Sequence, residues 1–76
     1  MMKNRLRFAD HPRVTVDPDI LSGVPVITGT RIPVCLILEM LEGGQTVKEI
    51  LQQYPSLRED DVHAALHFSA DLAAHP

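Results

Sequence analysis

The sequence is poor in the residues that crosslink or anchor a small protein. Cys35 is the single cysteine among 76 residues, so an intramolecular disulfide and a multi-cysteine zinc site are both excluded. No apolar stretch reaches the roughly 20 residues that cross a bilayer, and the charged opening MMKNRLRFADHP is not followed by an apolar run of signal-peptide length. We therefore expect a soluble, cytoplasmic protein with no membrane span, in which Cys35 is an ordinary buried thiol.

Aromatic side chains are also scarce, and the chain is short. Aromatic residues make up 4% of the sequence and hydrophobic residues 45%, so the core must consist mainly of Leu, Val, Ile and Ala. A chain of this length forms one small domain, which buries only about 60% of the surface that its unfolded chain exposes. A self-association surface would add apolar burial that the monomer lacks, and we expect a homodimer.

Positive charge is limited, and most of it lies at the front of the chain. The net charge is −3, whereas domains that bind nucleic acid usually show a basic face or stripe. Five of the seven Lys and Arg residues lie within the first 31 positions, while Asp and Glu gather after position 38. Contacts with DNA phosphates would therefore come from the front, and the candidate DNA-binding residues are Arg5, Arg7, Arg13 and Arg31.

The segment after the first twelve residues predicts a short β-arm. Residues 13–16, RVTV, alternate and are rich in β-branched side chains. A second apolar stretch follows at 24–27, and the turn residues between the two favour pairing as a hairpin. Pro25 confines its strand to the edge of a sheet because proline has no N–H to donate. A two-stranded hairpin is marginal alone, so it needs the helices or a second copy of itself to pack on.

Two helices are predicted next from their start and stop signals. Pro33 suits the first position of a helix, and apolar residues then recur at three- and four-residue spacings until 43–44, Gly-Gly, ends the helix. Thr46 and Glu49 have the spacing of a capping box and open a second helix over 46–54.

The last helix presents an apolar arc that is wider than one small core requires. Ser56 and Glu59 repeat the capping-box spacing and predict a helix from 57 to about 73. Eight apolar or small side chains then fall on an arc of about 200°. Either its alanines are indifferent to burial, or part of the face packs against a partner. The predicted organisation is a basic arm over 1–12 and a single small domain over 13–76, with the β-arm over 13–32 and three helices over 33–74.

This layout predicts a mainly α fold in which a β-arm or hairpin precedes a three-helix, homeodomain-like helix-turn-helix bundle. In that arrangement the last helix enters the major groove by its first turns, but here those turns carry Glu59, Asp60 and Asp61. The three carboxylates suit the positive end of the helix dipole. They would meet phosphate oxygens with like charge, so the acids disfavour groove reading by this helix.

The basic candidates have two interpretations each. Arg5 and Arg7, with Lys3, either lie along DNA as minor-groove arms do or form a frayed terminus. Arg13 and Arg31 lie in or beside the β-arm, where a rigid backbone can aim them at phosphate or at a partner's carboxylate. Arg31 could equally form a structural salt bridge.

The remaining constellations do not point to catalysis, a metal or a cofactor. His63 and His67 are four residues apart, but two ligands do not make a metal site, and we interpret them as partly exposed histidines. Residues 29–31, Gly-Thr-Arg, lack the glycine spacing and the lysine of a phosphate-binding loop. They predict a turn, with Gly29 at positive φ and the Thr30 hydroxyl bonded to backbone. We expect no enzymatic activity.

About fifty residues, over 17–66, carry one further pattern. Its pieces are Asp17-Pro18, Ser22-Gly23 with Pro25 and Ile27, the string Gly29-Thr30-Arg31-Ile32-Pro33-Val34, Gly44, Tyr54-Pro55 with Leu57, and Asp61-Val62 followed by Ala65-Leu66. In this order they closely resemble the small prokaryotic proteins of domain-of-unknown-function family 433. The Gly-Thr-Arg-hydrophobic-Pro string is the most specific of them.

The resemblance implies a homeodomain-like helical unit behind a short β-region, of a kind commonly regarded as antitoxin-like. Such proteins often accompany PIN-like ribonuclease toxins, so the implied role is to bind and silence a toxin and, as a dimer, to repress the protein's own promoter. It implies no catalytic residues. An acidic surface can meet a toxin's basic RNA groove, and the candidate partner-binding residues are Glu59, Asp60 and Asp61.

Two other interpretations stay open. The protein could be a stand-alone DNA-binding transcriptional regulator that uses the β-arm and the basic N-terminus, or a structural subunit of a larger assembly.

Overall fold

The structure is a computed structural model that describes residues 8–74. It is mainly helical, with a two-stranded antiparallel sheet before three α-helices, as the sequence predicts. The strands are β1 (Val14–Thr15) and β2 (Val26–Ile27), and the helices are α1 (Val34–Glu42), α2 (Val47–Gln53) and α3 (Glu59–Ala74). A 3₁₀ turn at Phe8–Asp10 precedes β1.

The predicted hairpin is confirmed, but it is only two residue pairs long. Val14 pairs with Ile27 and Thr15 with Val26, and the hydroxyls of Thr15 and Thr28 hydrogen-bond across it at 2.8 Å. So few pairs do not hold an isolated hairpin together. Val14, Val26 and Ile27 are all buried, so packing against the helices stabilises the arm.

The chain between the two strands contains a left-handed turn. Leu21 and Ser22 have φ values of 48° and 59°, and Gly23 follows at 86°. This region is unfavourable for side chains other than glycine, asparagine and aspartate. The turn directs the following residues, Val24 and Pro25, along the outside of α1 and α3, where they line a groove described below.

The predicted turn between β2 and α1 is confirmed. Gly29 has a φ of 81°, in the region that favours glycine. The Thr30 hydroxyl donates to the carbonyl of Ile27 at 2.8 Å and accepts from the N–H of Ile32 at 3.0 Å. Pro33 then forms the N-cap of α1 with an extended ψ of 144°, so the helix begins one residue later than the sequence predicts.

The capping box at the start of α2 is confirmed as well. The Glu49 N–H donates to the Thr46 hydroxyl at 3.2 Å, and the Thr46 N–H donates to the Glu49 carboxylate at 2.8 Å. These two bonds satisfy donors at the helix start that have no partner inside the helix.

The second predicted capping box is wrong. The last helix begins at Glu59, and it is the Asp61 carboxylate that accepts the Arg58 N–H, at 2.9 Å. Ser56 lies in the turn before the helix and does not cap it. The helix start is therefore two residues later than predicted, because Asp61 has a second bonding partner that fixes its carboxylate in this place, as shown below.

One hydrophobic core lies where the hairpin meets the three helices. Its buried members are Val14, Ile27, Val34, Ile37, Met40, Ile50, Leu57, Val62, Ala65 and Phe68. On α1 the core face is formed by positions 34, 37 and 40, which places Cys35 about 100° away from the first of them. Cys35 is exposed, so the prediction of a buried thiol is wrong.

The apolar arc of α3 is only partly covered within this chain. Val62, Ala65 and Phe68 are buried, but Leu66 and Leu72 are 45% and 47% exposed. Since the uncovered members include two leucines, indifference of alanine to burial does not account for the whole arc. None of the helices within residues 8–74 is both long and apolar enough to span a bilayer.

Replacing Gly29 tests the positive-φ turn. A Cβ at this position would meet no atom within 4 Å, so the cost of Gly29→Ala is backbone strain without a clash. We expect the free energy of unfolding to fall by about 1–2 kcal/mol. Gly29→Asn is the matched variant and should lose less, because asparagine tolerates the left-handed region. Urea unfolding measures both, and equal midpoints for Ala, Asn and the unsubstituted protein would contradict the assignment.

Candidate functional site

An ion-pair cluster joins the β-arm to the start of α3. Arg13 precedes β1, and its Nη1 lies 3.0 Å from Asp61 Oδ1. Its Nη2 lies 3.6 Å from Asp60 Oδ2. The second oxygen of Asp61 accepts the backbone N–H of Arg58. We refer to Arg13, Asp60 and Asp61 as the Arg13 cluster.

The two contacts of Arg13 differ in strength because the two carboxylates differ in burial. Asp61 is 7% exposed, and a buried carboxylate needs both a counter-charge and hydrogen-bond donors. Asp61 has both, from Arg13 and from the Arg58 N–H. The Asp60 side chain is 75% exposed, and an ion pair in that setting contributes little. The Arg13–Asp61 pair is therefore the structural contact.

The cluster unites residues that the sequence assigned to separate roles. Arg13 was a candidate for DNA, while Glu59, Asp60 and Asp61 were candidates for a protein partner. Asp61 is buried and bonded within the chain, so Glu59 and Asp60 are the exposed carboxylates at this helix start. The DNA and partner roles of these residues stay predictions.

The other basic candidates lie elsewhere. Arg31 is exposed in the turn before α1, and it makes no ion pair with any of residues 8–74. The structural salt bridge considered for it therefore has no acceptor in the described part of the chain. Arg5 and Arg7, together with Lys3, lie outside the described residues.

A histidine contact that the sequence does not predict ties the segment before β1 to the far half of α3. His11 is 3% exposed, and its Nε2 lies 2.8 Å from Asp71 Oδ2. Its ring centroid lies 4.7 Å from that of His67 and 5.2 Å from that of Phe68, which it meets edge-on. Sixty positions separate His11 from Asp71, and no local sequence signal connects them.

The histidines do not form a metal centre in the described chain. His63 is exposed and lies 3.8 Å from Glu59, one helical turn away. Across residues 8–74, no group of three or more His, Cys, Asp or Glu side chains is placed to hold a metal ion.

The surface formed by residues 8–74 includes two open grooves that concern the site. The larger, of about 440 Å³, runs between α2 and the start of α3 and is lined by Val47, Lys48, Leu51, Gln52 and Glu59. The smaller, of about 200 Å³, lies between the segment before β2, α1 and α3. We call the smaller one the apolar groove, and its lining consists of Val24, Pro25, Val34, Cys35, Leu38, Phe68, Ser69 and Leu72.

All the acidic residues of the chain lie in the part that the structure describes. Residues 8–74 contain all ten Asp and Glu and four of the seven Lys and Arg of the chain, whose net charge is −3. Arg13 is engaged with two of these acids, so its charge is neutralised locally. The site can therefore offer carboxylates and apolar side chains to a partner, in surroundings that repel polyanions.

Comparison with known proteins agrees with the resemblance seen in the sequence. A family model described as "Protein of unknown function (DUF433)" matches residues 14–69. "Uncharacterized protein y4eO" of Sinorhizobium fredii (strain NBRC 101917 / NGR234) is 40% identical over 52 residues, which cover 68% of this chain and 24% of that protein. A crystal structure of a DUF433 member from Anabaena variabilis ATCC 29413 is similar at a TM-score of 0.74 and 31% identity, covering 82% of this chain and 61% of that one. This chain thus spans less than two thirds of either relative.

A double-mutant cycle tests which contact of Arg13 is structural. For Arg13→Ala combined with Asp61→Ala, we expect a coupling free energy of about 1–2 kcal/mol, because the pair is charge-assisted and partly buried. The matched cycle with Asp60→Ala should give less than about 0.5 kcal/mol, since that carboxylate is exposed. Urea unfolding near neutral pH and moderate salt supplies all the values. Equal coupling in the two cycles would refute the assignment.

Proposed function

Because the chain belongs to the DUF433 family of proteins of unknown function, we propose that it is an antitoxin-like module that binds and inhibits a PIN-like ribonuclease in the cytoplasm. The observation that supports this proposal is the acidic balance of the chain, in which ten Asp and Glu against seven Lys and Arg give a net charge of −3. A ribonuclease binds the phosphates of RNA with a basic groove. An acidic protein that covers such a groove competes with the substrate by electrostatic complementarity.

The start of α3 is the part of the acidic surface best placed for this role. Glu59 and Asp60 are exposed there, while Asp61 is turned inward to Arg13. In a helix-turn-helix unit this end of the helix would approach DNA. Two exposed carboxylates repel phosphates but attract the Lys and Arg side chains of a nuclease.

Exposed apolar side chains supply the second requirement of a protein interface. The fully buried centre of an interface is more apolar than the surrounding surface, and α3 leaves Leu72 47% exposed. A homodimer, which this proposal includes, would use another uncovered part of α3, around Leu66. Repression of the protein's own promoter by that dimer belongs to the proposal as a second role.

A stand-alone DNA-binding regulator is the second candidate. Arg31 favours it, since this guanidinium is exposed and has no ion pair within the described residues. Arg13 counts against it, because its guanidinium is already engaged with Asp60 and Asp61. The antitoxin-like role ranks first for that reason, and DNA contacts by Arg5, Arg7, Arg13 and Arg31 stay predictions.

Inhibition of RNA cleavage tests the first candidate. The proposal requires a nuclease encoded by a neighbouring reading frame, and that nuclease is purified and assayed with increasing amounts of this protein. We expect stoichiometric inhibition. Replacing Glu59 by Gln together with Asp60 by Asn should slow association about threefold to tenfold at low salt, with a smaller effect at high salt. The matched control replaces Asp10 and Asp19, two other exposed acids, by Asn and should retain most of the rate.

Two results would contradict this function. The first is that the nuclease neither binds the protein nor loses activity. The second is tight binding to the upstream DNA at low salt that weakens on Arg31→Ala, with the salt slope falling by about one unit per lost phosphate contact. The second result, without nuclease inhibition, would establish the DNA-binding regulator instead.

A further inference from the structure

We propose that the apolar groove is the docking site for a basic amphipathic segment of a protein partner, which places apolar side chains in the groove and Lys or Arg side chains against Glu39 and Glu42. The proposal rests on the function proposed above for the identity of the partner, the ribonuclease. It adds the surface of this chain that the partner contacts and the chemistry of the segment that it contributes.

The groove has a packed floor and exposed walls. Val34 and Phe68 form the floor and are 4% and 2% exposed, so they belong to the hydrophobic core. The walls come from three separate parts of the chain: Val24 before β2, Cys35 on α1 and Leu72 on α3 are all exposed. Core residues therefore form the base of the groove, and exposed side chains form its edges.

Its size favours side chains of a protein over a small molecule. The volume is about 200 Å³, whereas sites for small molecules and cofactors typically occupy about 300–1,000 Å³ and carry a few convergent polar groups. Of the three exposed wall residues, Val24 and Leu72 are apolar, and Cys35 carries only a weakly polar thiol. Such a place suits one or two apolar anchors from an extended or helical segment of a partner.

Negative charge next to the groove indicates that the partner's segment also carries basic side chains. Positions 35, 38, 39 and 42 lie on one face of α1 by helical periodicity, so Cys35 and Leu38 of the groove continue into Glu39 and Glu42. Both carboxylates are exposed, and neither makes an ion pair with any of residues 8–74.

The position of these carboxylates in the helix strengthens the inference. Glu39 and Glu42 stand in the last turns of α1, where the helix dipole is negative, and no basic residue accompanies them there. Negative charge at this end is unfavourable to the helix itself. Cations from a partner would relieve that repulsion, which is a reason for acids to be tolerated at these positions.

The same carboxylates disfavour other occupants. A second copy of this chain that docked here symmetrically would bring two acidic edges together, and nucleic acid would bring phosphates to them. A basic amphipathic protein segment can bury apolar side chains in the groove and pair its Lys or Arg side chains with Glu39 and Glu42, so it is the occupant we infer.

Leu66 and Leu72 provide a matched pair of variants for the test. They lie on the same helix with almost equal exposure, 45% and 47%, but only Leu72 lines the groove. Both are peripheral enough that Leu66→Gln and Leu72→Gln should fold, which urea unfolding verifies. With the nuclease as ligand, we expect Leu72→Gln to weaken binding about tenfold or more and Leu66→Gln about twofold or less.

Charge variants test the acidic side of the groove. Replacing both Glu39 and Glu42 by Gln should weaken nuclease binding several-fold at low salt and less at high salt. Equal losses for Leu72→Gln and Leu66→Gln, or no loss for the double glutamine variant, would overturn the inferred docking site while leaving nuclease inhibition itself intact.

A synthetic probe tests the groove without the nuclease. The probe is a 14-residue helical peptide with Leu on one face and Lys beside it, and its control carries Glu in place of Lys. We expect the Leu–Lys peptide to shift the amide NMR signals of Cys35, Leu38 and Leu72 in the full chain, and the Leu–Glu peptide to leave them unchanged. Binding of the Leu–Lys peptide should be lost in Leu72→Gln.

The probe separates this inference from the proposed function. Peptide binding in the groove without any nuclease binding would overturn the ribonuclease partner and keep the docking site. Unshifted signals with both peptides, or equal binding to Leu72→Gln, would overturn the docking site. Sedimentation that shows a dimer, lost specifically in Leu72→Gln, would overturn it in favour of a second copy of the chain.

Discussion

The contact between Arg13 and Asp61 is the interaction on which the arrangement of this domain depends. A hairpin of two residue pairs is too short to hold its own orientation. Asp61 fixes it, because one carboxylate oxygen binds the Arg13 guanidinium and the other accepts the N–H that precedes α3. The same carboxylate thus determines where the last helix begins and where the β-arm lies against it.

The contact between His11 and Asp71 complements it at the other end of α3. Asp61 and Asp71 are ten residues apart, about 15 Å along a helix, whereas two residues of extended chain from His11 to Arg13 span about 7 Å. The long Arg13 side chain covers much of the difference between these two distances. The segment before β1 therefore lies along α3 with a polar attachment at each end, and this places the hairpin over the core.

Motifs within a few residues of sequence predict much of the fold, but the sequence carries no recognisable signal for contacts between distant residues. Thr46 with Glu49, and Gly29 with Thr30, act within a few residues, so their roles can be read from the chain. Arg13 and Asp61 are 48 positions apart. Ser56 and Glu59 have the spacing of a capping box, but it is Asp61 that accepts the N–H at the helix start. Asp61 is favoured there because it also forms an ion pair with Arg13. No local sequence pattern reveals that pair.

The same limit applies to the candidate site. From the sequence, Arg13 was assigned to DNA and the acids at the start of α3 to a protein partner. In the fold, Arg13 forms ion pairs with Asp60 and Asp61. A cation that a DNA-binding arm would offer to phosphate is thereby used within the domain, while Glu59, Asp60, Glu39 and Glu42 remain on the surface. At the positions where a DNA-binding helix-turn-helix protein presents Lys and Arg side chains, this domain presents carboxylates. This charge distribution is the reason that we propose a basic protein, and not DNA, as the ligand.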